Sequence, residues 1–328
     1  MAEWLYEAGI GEARAALVDD GRIVEARIER DDAGPRWGTR HRARLGPGWR
    51  DRRVVDLEDG GEAFLDRLAA PASDGETIMV QITREAIRGP RETKLPLVCH
   101  MADDGAAGAA ALFDELEATG IRVVQVYPHM PDLLEAAGWS EMLDQALTGD
   151  VAFAGGVLHI DLTRGMTVID VDGAPPLDRL ALAGADAAAR AIVRLGIAGS
   201  IAIDFPTLGN REQRLAASAA FDAVFAGRGE RTGINGFGLM QIVREKRRAS
   251  FPELLQGDPV GAEARALLRR AERSRIVGAA TLVAHPAIIA RIAEHASWTA
   301  SLARTIGGTV GLRADPALAM AGSHVESA

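Results

Sequence analysis

Three aspartates lie where strand geometry can put them to chemical use. In Met166-Thr167-Val168-Ile169-Asp170-Val171-Asp172-Gly173 an apolar run leads to two carboxylates two residues apart. Successive strand side chains alternate faces, so Asp170 and Asp172 share one. Asp204 ends a second apolar run, Ser200-Ile201-Ala202-Ile203-Asp204. If the two strands are neighbours, three carboxylates converge on one point. Such anions repel strongly in a low dielectric unless a cation neutralises them, and hard oxygen ligands suit magnesium, with manganese as the alternative. The plainer reading is that each Asp closes a turn or caps the next helix. On the residues alone both stay open.

Other familiar chemistry is missing from the sequence. There is no Gly-x-Ser-x-Gly elbow, no P-loop and no paired histidine at metal spacing, and the seven histidines are scattered. Cys99 is the only cysteine, so disulfides and thiolate clusters are excluded and no zinc site is expected.

Charge is unevenly placed. The net value of −9 argues against indiscriminate coating of nucleic acid, yet residues 36–53 carry seven arginines, Arg40 and Arg42 among them, against Asp51 alone. Arg244, Lys246, Arg247 and Arg248 form a second cluster, and Lys94 and Lys246 are the only lysines. Guanidinium groups suit bidentate phosphate contact and base stacking, which makes a nucleic acid the expected partner. Phe64, in Glu62-Ala63-Phe64-Leu65, either stacks on a base or fills a core, and Trp37 and Trp49 beside the arginine run carry the same two readings.

The elements that must position these residues follow from periodicity and turn residues. Arg14 to Val18, the turn Asp19-Asp20-Gly21 and Ile23 to Ile28 read as a hairpin. Short strands over 40–45, 53–57, 63–65 and 77–82 suggest a small barrel, with connections over 70–76 and 103–110. Helical spacing over 109–119 precedes a strand over 121–127, and a single amphipathic helix is expected over 133–147. Strands over 156–163 and 166–172 flank the turn Arg164-Gly165. Beyond them come a helix over 185–195, a strand over 200–205 and helices over 211–226 and 237–247. The break Gly257-Asp258-Pro259 marks a boundary, followed by helix 262–273, strand 278–283, helix 287–295 and strand 309–312. No run approaches the roughly 18 apolar residues of a membrane span. With a start, Met1-Ala2-Glu3-Trp4, unlike a signal peptide, the expectation is a cytoplasmic protein.

Four collinear stretches resemble the ribonuclease E/G family. Residues 77–91 resemble that family's barrel strand and RNA-contacting loop, with Arg88 at the place of a basic residue that touches RNA. Residues 133–139 through 155–173 resemble the approach to the catalytic strand. Residues 185–190 through 199–205 resemble the helix and strand bearing the second metal ligand, and 237–246 the helix that closes the catalytic domain. A shorter string, Val168 to Gly173, also looks like the first motif of haloacid-dehalogenase-type phosphatases. There Ala174 follows the glycine, and the only later lysine, Lys246, sits in a basic run.

The ribonuclease resemblance implies an α/β protein: a ribonuclease H-like unit (1–35 and 100–150) with an inserted OB-fold barrel (36–99), a deoxyribonuclease I-like catalytic unit (151–256) and a small C-terminal α/β domain (257–328). It implies a magnesium-dependent endoribonuclease that cuts single-stranded RNA to 5′-phosphate and 3′-hydroxyl products, with Asp170 and Asp204 as metal ligands and Asp172 where the family usually has a supporting asparagine. Phe64 matches a base-stacking aromatic whose usual companion is replaced by Val54, and Phe64, Arg88, Arg40, Arg42 and Arg244 form the implied RNA surface. The zinc-link cysteines are missing, so a homodimer at most is expected. The 5′-phosphate pocket is deleted between Leu97 and Ala109, and Gly236 replaces an arginine. The alternative is a relative that binds RNA without cutting it.

Overall fold

The computed structural model describes residues 1–49, 52–68, 71–89, 93–101 and 111–327. The expected connection over 103–110, and with it most of the deleted pocket's location, lies outside the described residues.

The chain opens with β1 (Glu3–Ala8), then β2 (Glu12–Asp19) and β3 (Arg22–Arg30), which pair antiparallel around the Asp-Gly turn. Next come β4 (Arg40–Trp49), β5 (Arg52–Leu57), β6 (Glu62–Arg67) and β7 (Thr77–Arg84), then the two-residue strands β8 (Ile87–Arg88) and β9 (Thr93–Lys94), and β10 (Leu97–His100). Five of these close a barrel in the order β10-β6-β5-β4-β7. Alternation makes the barrel: Ala43, Leu45, Val55, Leu57, Ala63, Leu65, Val80 and Val98 point inward and are buried, and the residues between them face out.

Helix α1 (Leu112–Glu117) leads to β11 (Val123–Gln125), which adds parallel to β1. The single helix expected over 133–147 is instead two, α2 (Leu133–Ala136) and α3 (Trp139–Thr148), because Gly138 between them has φ of +95°. Strands β12 (Asp150–Phe153), β13 (Gly156–Leu162) and β14 (Thr167–Gly173), helix α4 (Leu177–Arg194), β15 (Gly199–Asp204), helix α5 (Arg211–Phe225), β16 (Glu230–Arg231) and β17 (Leu239–Arg244) follow. They form a six-stranded sheet ordered β12-β13-β14-β15-β17-β16. Small residues on α4, Ala181, Ala185, Ala188 and Ala189, let it sit close against one face of that sheet, whose Leu158, Ile169, Ile203 and Ile242 are buried.

The helix expected over 237–247 is the strand β17. Met240 and Ile242 are buried while Gln241 and Val243 are exposed, so the apolar period is two rather than 3.6. The remaining elements are α6 (Phe251–Gly257), α7 (Pro259–Arg273), β18 (Ala279–Ala284), α8 (Pro286–Glu294), α9 (Ala296–Ile306), β19 (Thr309–Ala314), a 3-10 turn at Met320–Gly322 and β20 (His324–Ser327). Asp258 caps α7 by accepting from Gly261 N, so the expected boundary falls at a helix start. The last strands form a sheet ordered β19-β18-β20.

The chain divides into two compact units. One comprises 1–33, 111–139 and 254–328, and the other 34–110 and 140–253. In the first, Arg14 is only 2% exposed, bonds Glu7 and Asp132, and lies 5.3 Å from the Trp139 ring centroid. The second holds the barrel, the six-stranded sheet and all the residues singled out for chemistry. Among the described residues no helix is long and apolar enough to cross a membrane.

Candidate active site on the open sheet face

The antiparallel pairing of β13 with β14 and the parallel pairing of β14 with β15 put one row of polar side chains across the sheet. Asp150 pairs with His159, His159 with Asp170, and Asp170 with Asp204. Register partners point to the same face, and here it is the face α4 does not cover. Asp170 and Asp204 are exposed, and neither carboxylate has a hydrogen bond or ion pair among the described residues. Two unengaged, hard oxygen donors on neighbouring strands form a donor set that fits a magnesium-type cation.

Asp172 shares the face but stands one alternation further along β14, across from Val157, and its Oδ1 accepts from Gly173 N at 2.8 Å. No three His, Cys, Asp or Glu side chains gather closely enough to hold a metal among the described residues. The expected three-carboxylate point is therefore a pair, with Asp172 beside it.

His159 was not legible as a site residue from its type, yet the turn gives it away. Counting back from Thr163 and Met166, which bracket Arg164-Gly165, pairs residue 159 with 170. His159 Nδ1 lies 2.7 Å from Asp150 Oδ1, and this hydrogen bond raises the imidazole pKa above its ordinary value, with the charges of Asp170 and Asp172 adding to it.

The turn before β17 forms the neighbouring edge. Asn235 Oδ1 accepts from Phe237 N and Leu239 N at 2.8 and 3.1 Å, and Gly238, at φ +91°, accepts from Phe205 N through its carbonyl. A Cβ on Gly238 would lie 2.4 Å from Phe205 O, so only glycine fits this close approach beside Asp204. Phe237, 88% exposed, projects from the same turn. Reading this stretch as a helix hid an aromatic surface next to the carboxylate pair.

On the barrel, Phe64 is half-buried while its neighbours Ala63 and Leu65 are the core residues, so it lies on the outer wall. Val54 is its direct cross-strand partner, which places an aliphatic side chain where a second stacking ring would stand. Arg40 and Arg42 also alternate outward from β4, whose Ala43 is buried, and Arg88 is exposed on β8. Trp37 is covered by the Arg247 guanidinium, 4.3 Å from its ring centroid.

Arg244 does not belong to this surface. It alternates with Met240 and Ile242 onto the helix-covered face, and its Nη1 donates to the carbonyls of Ile192 and Ile197 at 3.3 and 3.0 Å. Its charge caps the C-terminal end of α4.

A mixed α/β chain with a closed five-stranded barrel and a sheet bearing paired carboxylates is the class of protein defined so far. Residues 102–247 match the model of the Ribonuclease E/G family, and this match supports membership of the chain in that family. No curated protein matches the chain.

Proposed function

We propose that this chain is a metal-dependent endoribonuclease that cuts single-stranded RNA and leaves 5′-phosphate and 3′-hydroxyl ends. The observation that supports it is the register pairing of Asp170 with Asp204, exposed and unengaged, within the segment that matches a ribonuclease family. On this reading the sheet of β1 to β3 with β11 belongs to a ribonuclease H-like unit, the barrel is an OB-fold, and the six-stranded sheet is a deoxyribonuclease I-like catalytic unit.

Asp170 and Asp204 are the residues that would hold magnesium or manganese. Such an ion, when bound, polarises the phosphate and makes water a stronger nucleophile at neutral pH. The chain's own side chains do the rest. His159, held through Nδ1 by Asp150, takes up a proton more readily than a free imidazole and, when charged, would stabilise phosphate charge arriving beside Asp170. Asp172 has one oxygen tied to the backbone and the other free to orient a water. Phe64 and Arg42 on the barrel, with Arg88 on β8, hold the strand.

The experiment is incubation of the full chain with a labelled A/U-rich single-stranded RNA, with magnesium or with chelator, followed by end-group analysis. Cleavage that needs the metal and yields 5′-phosphate ends is expected. Asp170→Asn and Asp204→Asn should each lower the rate by about a hundredfold or more while RNA binding persists. Undiminished cleavage by the double variant would overturn the assignment. Binding without any cleavage would establish the alternative, a non-catalytic RNA-binding relative, which the Val54 partner of Phe64 and the aspartate at 172 favour.

A further inference from the structure

A pocket of about 260 Å³ lies where the outer wall of the barrel meets the N-terminal ends of β14 and β15, within the second unit. Its wall holds both lysines of the chain, Lys94 and Lys246, together with Arg84, against the single carboxylate of Glu253. Both Glu253 oxygens are taken: Oε1 by Lys246 Nζ at 2.5 Å, and Oε2 by Ser250 N and Oγ at 2.9 and 2.8 Å. Positive charge is therefore in excess.

Donors are in excess as well. Lys94 Nζ donates to Arg164 O at 3.0 Å, which leaves two of its three hydrogens. Arg84 Nη2 donates to Leu95 O at 2.6 Å, while its buried Nε has no partner. The Ser200 hydroxyl, also in the wall, has no hydrogen bond among the described residues. A Cβ on Gly199 would sit 3.3 Å from Lys246 Cδ, so the small residue there leaves the lysine stem its room. Such a site calls for a compact ligand with several acceptor oxygens and negative charge.

An apolar neighbour narrows the ligand further. Leu97 lines the pocket and pairs in register with Arg84 on one side and with Phe64 on the other. A ring therefore stands on the barrel wall across β10 from Arg84, two strand spacings or roughly 10 Å away. We propose that this pocket binds the phosphate of a nucleotide, with the nucleobase against Phe64. The phosphate can come from a free nucleoside monophosphate or from within an RNA strand. Ser200 is four residues before Asp204 on the same face of β15, about 13 Å away at strand rise, so a strand seated here also reaches the carboxylate pair. The inference stands on the pocket and does not require that the chain cleave RNA.

Because the chain has two lysines, the test can read them individually. Reductive methylation of the full chain with ¹³C-formaldehyde keeps each amine charged and labels only Lys94, Lys246 and the α-amine, with Lys94→Gln assigning the signals. Titrations use inorganic phosphate, adenosine 5′-monophosphate and a single-stranded oligoribonucleotide at constant ionic strength, with chloride as reference. Saturable shifts of both lysine signals, without the α-amine, are expected from a phosphate-bearing probe. Shifts from the oligoribonucleotide alone assign the site to strand phosphates, whereas shifts from the monophosphate admit a free nucleotide. Lys94→Gln should weaken binding by about tenfold, and Phe64→Ala should abolish the advantage of the nucleotide over inorganic phosphate.

Silence of both signals with all three probes, equal shifts with chloride, or unchanged affinity in Lys94→Gln would overturn the proposal. A nucleotide that binds no better than phosphate would overturn its nucleobase part. RNA that binds and is cut while both lysine signals stay still would sink this inference and leave the nuclease reading standing.

Discussion

His159 stands directly across the β13–β14 pairing from Asp170, with its Nδ1 2.7 Å from Asp150 on the strand beyond. An imidazole next to an exposed carboxylate pair is a proton store whose occupancy depends on what surrounds it. The hydrogen bond to Asp150 is the main cause that raises its pKa, and Asp170 and Asp172 act through charge. In an NMR titration His159 should therefore hold its proton above the ordinary value of 6.5. Asp150→Asn should bring the midpoint down, and Asp170→Asn should do so less. A midpoint that ignores Asp150→Asn would show that the hydrogen bond does not govern this group.

The proposed RNA surface on the barrel combines two kinds of contribution to affinity. Phosphate contacts release counterions, whereas stacking does not, so salt dependence tells them apart. Phe64→Ala should weaken binding by ~1–3 kcal/mol with an unchanged slope of affinity against salt. Arg42→Gln should lower that slope by about 0.7 if the guanidinium meets one phosphate. Arg244→Gln should leave the slope alone and lower the melting temperature, because its guanidinium serves the Ile192 and Ile197 carbonyls. Filter binding at several salt concentrations and a thermal melt check all three, and a slope that moves with Arg244→Gln would refute its structural role.

Much of this site was written in local pattern. Strand alternation put Asp170 and Asp204 at the right ends of apolar runs, and the Arg164-Gly165 turn fixed the β13–β14 register. What stayed hidden depended on partners distant in sequence. Asp172 sits on the expected face, but nothing local says that its oxygen turns to Gly173 N. Phe237 to Arg244 carries apolar residues at spacings that satisfy a helix and a strand alike, and only the pairing with β15 decides. Arg244 looked like one member of a basic cluster because sequence adjacency does not show that alternate residues go to opposite faces, one of them beneath α4.

In the first unit, removal of Arg14 tests a buried ion network. Its side chain bonds Glu7 and Asp132, and Glu7 is itself 2% exposed. Arg14→Met keeps the volume over Trp139 and removes one of the two guanidinium groups on the buried Glu7, which Arg273 still bonds through Oε1, so the cost should be about 1–3 kcal/mol. Urea unfolding should show that loss, and Arg14→Met with Glu7→Gln should recover part of it. Additive losses in the double variant would mean the two residues do not act as a pair.

Glu272 gives the same unit a pH dependence of definite sign. Its Oε2 accepts from Ile10 N at 3.1 Å, and burial, with the nearby charge of Glu7, raises its pKa to about 7 against the opposing Arg269 and Arg273. A carboxyl whose pKa is higher in the fold than in the unfolded chain binds its proton more tightly in the fold. The stabilisation is then fully present below the unfolded value of 4.5 and is lost as pH rises through about 7. Glu272→Gln keeps an acceptor for Ile10 N and removes the titration, so it should match the wild type near pH 4.5 and exceed it near pH 8 by roughly 1–3 kcal/mol. Urea unfolding of both proteins across that range is the measurement. Parallel stability curves for the two would show that Glu272 ionises in the fold as it does in the unfolded chain.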